Sequence, residues 1–114
     1  MTFTSHDILT VEHYLREDGT NPFDEWIRGL DNTTKVKIVR RIDRFILGNL
    51  GDYKHVREGV FEARLDFGPG YRLYFLRDGS KIIVLLCGGD KGTQGRDIDR
   101  AVDFLRDYHS RREA

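Results

Sequence analysis

The chain is expected to fold as an α+β domain, a small antiparallel β-sheet packed against an N-terminal helical hairpin in the order β-α-α-β-β-β-α. Three observations carry that expectation. Apolar residues recur at helical spacing between residues 22 and 47, the period changes to two from residue 53, and a last helical pattern begins near Ile98.

Each element has a local cause. Residues 7–15, DILTVEHYL, are β-branched and aromatic enough for a first strand, which Gly19 and its polar neighbours end. Asn21 before Pro22 is an N-cap followed by a favourable first helical residue, and Phe23, Trp26, Ile27 and Leu30 predict a short amphipathic helix over 22–30. A longer helix is expected from Thr34 to Leu47, with Ile38, Val39, Ile42, Phe45 and Ile46 on its apolar face. Lys37, Arg40, Arg41 and Arg44 fall on the other side, which reads as a solvated face. Gly48 and Asn49 can end it.

Lys54–Arg57 form a short strand that leads into the hairpin FEARLDFGPGYRLYF, Phe61–Phe75. After Gly79 the run KIIVLLC, residues 81–87, is apolar on both faces and is expected at the centre of the sheet. CGGDKGTQG reads as a loop. Ile98, Ala101, Val102, Leu105 and Tyr108 predict a last amphipathic helix that frays into HSRREA.

At 114 residues the chain is expected to be one domain, 1–114, burying roughly two-thirds of its unfolded surface. One cysteine, Cys87, excludes an intramolecular disulfide and suits a reducing cytosol. The first fifteen residues lack the basic start and apolar run of a signal peptide, and no stretch reaches the ~20 apolar residues that span a bilayer. Nineteen basic and nineteen acidic residues cancel, so any affinity for nucleic acid must come from local clustering of charge.

The hairpin sets Arg64 and Arg72 among apolar and aromatic residues. With GPG as a three-residue loop, Phe67 pairs with Tyr71, Leu65 with Leu73 and Ala63 with Phe75 on one apolar face. The opposite face then pairs Asp66 with Arg72 and Arg64 with Tyr74, leaving the two arginines as diagonal neighbours. This face has two readings. It is a solvated polar face, with Arg72 paired to Asp66 and Arg64 over Tyr74, or it is a phosphate site. Arginine offers a permanent charge and a rigid fork of donors matched to phosphate oxygens, and Tyr74 could stack on a base. Lys54 and His55 open the preceding strand and could reach the same face, as could Lys91 in the glycine-rich GGDKG.

Other chemistry has little support. His6, His13, His55 and His109 lack metal-ligand spacing, no serine sits in a nucleophile elbow, and GGDKG lacks the spacing of a nucleotide-binding loop. Cys87 and Trp26 read as core.

FEARLDFGPGYRLYF followed by IIVLLCGGDKGTQGRDIDRA resembles the RelE/ParE superfamily of toxin–antitoxin toxins. The nearest resemblance is to HigB-like addiction module killer proteins, with the pattern E-x-R…GPGYR-Y-F…LL-GGDK-TQ-DI-A. PFDEWIRGL and KIVRRIDRFILGNLGDYKHV resemble the helical hairpin and following strand of that family. The resemblance implies a type II toxin: a ribosome-dependent mRNA endonuclease working without metal or other cofactor, in which the RNA 2′-OH attacks the adjacent phosphate. Members resembling ParE instead inhibit DNA gyrase, and a degenerate toxin would retain antitoxin binding alone. The implied partners are a cognate antitoxin, often a helix-turn-helix protein, with ribosome and mRNA as targets, operator DNA met only through the antitoxin complex, and no membrane. Carried onto this chain, the resemblance marks Lys54, Glu62, Arg64, Arg72 and Lys91. Arg64 and Arg72 would meet phosphate and transition-state charge, Lys54 would assist proton transfer or contact phosphate, Lys91 would touch the substrate backbone and Glu62 would orient an arginine. His55 is the imidazole nearest the site in sequence. Tyr108 and His109 lie in the last helix, and no residue is assigned as general base.

Overall fold

The computed structural model describes residues 8–113. His6 and the start of the expected first strand at Asp7 lie outside them. The elements are β1 (Thr10–His13), α1 (Pro22–Arg28), α2 (Asn32–Ile46), β2 (Tyr53–Arg57), β3 (Val60–Leu65), β4 (Tyr71–Asp78), β5 (Ile82–Asp90), a 3-10 turn (Lys91–Thr93) and α3 (Gln94–Glu113). The α+β class is as expected, with differences of detail. Four strands follow the helical hairpin rather than three, because the short strand before the hairpin joins the sheet as its edge. The sheet order is β1-β5-β4-β3-β2, and β1 runs parallel to β5. More than half of the chain separates those two strands, so no tight turn forces them antiparallel.

Local rules place the helices. The Asn21 side chain caps α1 at the Asp24 N–H, 3.0 Å, with Pro22 at the first turn. Asp31 caps α2 through Thr34, whose hydroxyl donates to Asp31 Oδ1 at 2.5 Å. Ile38 and Phe45 of α2 are fully buried, but Val39 and Ile46, expected on the apolar face, are exposed. Arg41, expected in solvent, is buried instead.

The sheet is covered on both sides. Phe23, Ile38 and Phe45 of the hairpin pack on Ala63, Leu65, Leu73, Phe75, Ile83 and Leu85. On the other side Ala101, Val102 and Leu105 of α3 pack on Val60, Tyr74, Leu76, Val84, Leu86 and Cys87. Each large aliphatic or aromatic group so buried is worth about 1.5–3 kcal/mol. As expected, β5 is an interior strand buried on both faces, although β4 and not β5 takes the middle of the sheet. A bulge in it helps: Tyr74 faces Cys87 while Phe75 faces Leu85, so Leu86 and Cys87 both join the α3 side.

β5 does not stop at Cys87 but continues to Asp90 through two glycines. A Cβ on Gly88 would lie 2.1 Å from the Trp26 ring, and one on Gly89 would lie 1.9 Å from Asp97 Oδ2. The strand can extend there because hydrogen replaces a side chain on each face, letting Trp26 and Asp97 close over the backbone. α3 also departs from expectation. It stays helical through HSRRE, with Arg111 salt-bridged to Asp107 at 2.7 Å and Arg112 to Asp78 at 3.2 Å.

Candidate phosphate-binding face

The hairpin register differs from the expected one. Arg64 stands directly opposite Arg72, with Leu65 opposite Tyr71, Ala63 opposite Leu73 and Glu62 opposite Tyr74. The expected pairs Asp66–Arg72 and Arg64–Tyr74 do not form. The loop is longer than GPG: the Gly70 N–H donates to the Phe67 carbonyl at 3.0 Å, and Gly68 takes φ 55° before Pro69. A positive φ followed by proline suits a tight turn that only glycine enters cheaply, and it draws Asp66 and Phe67 out of the ladder. The apolar and polar faces stay separated because the shift preserves the two-residue alternation.

Arg64 and Arg72 share a rung of the close kind. The Arg64 N–H donates to the Asp52 carbonyl at 2.9 Å, and its own carbonyl accepts from Arg41 Nη1 at 2.6 Å, so both backbone groups point away from β4. Opposed residues on such a rung bring their side chains nearest, and like charges there repel. Glu62, one rung away on the same face, offsets the repulsion. Its Oε1 accepts from Arg64 Nε at 3.1 Å and lies 3.7 Å from Arg72 Nε. Its Oε2 accepts from the Tyr74 hydroxyl at 3.1 Å and from Gln94 Nε2 at 2.7 Å. Glu62 is fully buried. Burial pushes its carboxyl up, but hydrogen bonds from Gln94, Arg64 and Tyr74, with the Arg64 charge, hold it below the usual glutamate range.

The two arginines differ in access. The Arg64 side chain is 32% exposed and that of Arg72 only 8%. Arg72 Nη1 donates to the Tyr71 carbonyl at 3.2 Å, and the buried Arg72 Nε has no hydrogen-bond partner. Glu62 therefore anchors Arg64 through its Nε, leaving the terminal nitrogens of that guanidinium directed elsewhere.

The remaining candidates divide. Lys54 is paired across the ladder with Glu62, which sets it on the arginine face, and it is exposed. Lys91 begins the turn after β5, and its N–H donates to the Gly70 carbonyl at 2.9 Å. Gly70 lies beside Lys91 and Arg72, a Cβ there standing 3.5 Å from Lys91 Cβ and Arg72 Nη1, and its φ of 80° is what favours glycine at the position. Two expectations need correction. Tyr74 is fully buried under α3, so it offers no ring face to a base. Its hydroxyl is driven far above the ordinary phenol value by burial and by Glu62. His55 is paired with Phe61 and packs edge-on against that ring at 5.6 Å, on the sheet face opposite the arginines. Its Nε2 contacts the Glu58 carbonyl. Tyr108 donates to Asp78 at 2.7 Å at the far end of β4, so neither it nor His109 beside it approaches Arg72.

Two contributors escaped the sequence reading. Gln94 reaches Glu62 only because the β5 extension and the 3-10 turn aim the start of α3 back across the sheet. Arg41 donates to the carbonyls of Leu50, Asp52 and Arg64 at 3.3, 2.7 and 2.6 Å, tying α2 to the edge of β3. Burial lowers its pKa from the ordinary arginine value, assisted by the Arg44 charge. Four basic positions on one helical side gave no hint that one of them turns inward.

The family model "Phage derived protein Gp49-like (DUF891)" matches residues 25–104. A Haemophilus influenzae protein described as uncharacterized is 48% identical over 83 residues, covering 72% of this chain and 84% of the relative. The matched span contains most of the helical hairpin, every strand from β2 to β5 and the first half of α3, and with them Lys54, Glu62, Arg64, Arg72, Lys91 and Gln94. The chain belongs to the Gp49-like family of phage-derived proteins, a family associated with RelE-like addiction-module toxins.

Proposed function

We propose that this chain is the toxin of a type II toxin–antitoxin module, of the HigB-like kind, and that it cleaves mRNA on the ribosome at the arginine face. The observation that carries the reading is the Arg64–Arg72 rung: two guanidinium groups on adjacent strands, held by one buried carboxylate, with Lys54 and Lys91 flanking. In such a reaction the 2′-OH attacks the neighbouring phosphorus and the bond to the 5′ oxygen breaks. The products are a 2′,3′-cyclic phosphate and a 5′-OH. Negative charge grows on the non-bridging oxygens, and fixed guanidinium donors stabilise it most in the transition state. Lys54 is the exposed cation best suited to the proton transfers, and Lys91 to the adjoining backbone phosphate.

One observation favours a second reading. Among the described residues no histidine is seen to contact the arginine rung, and the phenol beside it, Tyr74, is buried. A toxin that binds without chemistry, such as a gyrase inhibitor, needs no acid–base pair.

The test is induction of the wild type with primer extension on mRNA, and gyrase supercoiling measured in parallel. Arg72→Ala and Arg64→Ala should each slow cleavage about a hundredfold, the effect of losing ~3 kcal/mol of transition-state stabilisation. Both variants should stay folded by circular dichroism and bind antitoxin. Arg72→Lys should recover only part of the rate, since it keeps charge and loses the fork. Growth arrest with intact mRNA and blocked supercoiling would overturn the endonuclease reading in favour of the second.

A further inference from the structure

A groove of about 450 Å³ runs between α2 and the end of β3, lined by Lys37, Arg40, Arg41, Arg44, Arg64 and Phe67 together with Leu65 and the carboxylates of Asp52 and Asp66. Its charge is lopsided, with five cations against two carboxylates. Most exposed arginines elsewhere are neutralised locally: Arg16 by Glu25, Arg57 by Asp99, Arg106 by Glu58, Arg111 by Asp107. Along the groove Lys37, Arg40 and Arg44 are exposed, and none is within ion-pair distance of a carboxylate among the described residues. Spaced three and four apart, they form one row on α2. Lys37 Nζ lies 4.3 Å from the centre of the Phe67 ring. Arg41 adds a buried charge whose donors are spent on neutral carbonyls, so it contributes field without contributing a free donor.

With Arg64 paired to Glu62, four like charges remain held together at a cost in free energy, and the two carboxylates of the groove do not cancel them. From this we infer that the α2 groove is a second phosphate subsite, a track for the backbone of single-stranded RNA entering or leaving the arginine face. The inference rests on the proposed function for the identity of the polyanion. Arg64 links the two at the sheet: its carbonyl accepts from Arg41 of the groove wall, while its side chain joins the rung with Arg72 on the other sheet face, so the RNA backbone would pass around the sheet edge between them. The row also has the pattern a backbone requires, repeated point charges rather than one enclosed pocket. Arg40 and Arg44 are the residues that contact phosphate, while Arg41 holds the wall in place.

The experiment is fluorescence anisotropy with a labelled single-stranded oligoribonucleotide at several salt concentrations. The proteins are the wild type, Arg40→Ala/Arg44→Ala and Arg72→Ala. Both groove residues are exposed and make no ion pair among the described residues, so the double variant should stay folded and melt no lower than the wild type, the relieved repulsion acting in its favour. Withdrawing one cation from a phosphate should reduce the slope of log affinity against log salt by about 0.7, so the double variant should flatten it by roughly 1.4. A slope and affinity equal to wild type would overturn the groove while leaving the arginine face standing, provided Arg72→Ala weakens binding. Failure of the wild type to bind RNA at any salt would overturn the groove as an RNA track, while the arginine face stands or falls separately on primer extension. A labelled polyglutamate peptide is the remaining arm. If the double variant loses the peptide and keeps the RNA, the groove serves an acidic protein segment and the RNA track is wrong.

Discussion

Replacing Glu62 by glutamine tests how the arginine rung is held. The variant keeps the shape but removes the charge facing two guanidinium groups and replaces one of the two acceptor oxygens with an NH2 donor. For Arg64 the loss is softened, because a third of its side chain meets water. Arg72 has no such relief, being 8% exposed with an Nε that already lacks a hydrogen-bond partner. Stranding one partner of a buried pair costs about 3–5 kcal/mol, and the bonds a glutamine can still accept place this case near 3. For a domain of this size that lowers Tm by roughly 12 °C. Acid supplies an internal check. The Glu62 carboxyl sits below its unfolded value of about 4.3, so its contribution is complete above that pH and fades as pH falls through the folded value. The stability gap between wild type and Glu62→Gln should therefore be widest at pH 7 and close in strong acid. Urea denaturation from pH 7 to pH 3 reads it, and adding Arg72→Met to Glu62→Gln should recover much of the loss. A gap under about 1 kcal/mol at pH 7, or one that stays constant into acid, would refute the argument that a buried carboxylate neutralises the rung.

Two further outcomes follow from packing. Gly88→Ala would put a methyl 2.1 Å from the Trp26 ring, which is wedged between Phe23 and Tyr71; it should cost about 1–3 kcal/mol and shift the emission of the chain's single tryptophan, and unchanged stability with unchanged emission would contradict the packing described. Arg41→Ala removes the guanidinium donors from the carbonyls of Leu50 and Arg64 and leaves that of Asp52 with the Arg64 N–H alone; denaturant melts should show a loss of about 3 kcal/mol, with Arg41→Lys restoring only part, and a loss below about 1 kcal/mol would mean that water takes over the lost bonds.

Local sequence rules determined a good deal of this molecule. Asn21–Pro22, Asp31 and the apolar spacing on either side fix two helices whatever they pack against. Two-residue alternation through Phe61–Phe75 fixes which side chains share a face, and it survives even the wrong loop length, since a shift by two keeps the faces. Arg64, Arg72 and Glu62 could thus be assigned to one surface from the sequence, whereas Lys54 joins them only through the pairing of β2 with β3. The tertiary structure alone decided what happens on that surface. The turn at Gly68 and the Arg41 bond to the Arg64 carbonyl, which reaches across 23 positions, bring the arginines rung to rung instead of diagonal. The docking of α3 buries Tyr74 and delivers Gln94 to Glu62 across 32 positions. The pairing of β2 with β3 sets Lys54 opposite Glu62 and His55 opposite Phe61, which decides which of the two reaches the arginine face. Periodicity records the side of its own element on which a residue lies. Whether that side meets water or another element depends on contacts made between residues far apart in the chain, and no local spacing encodes them.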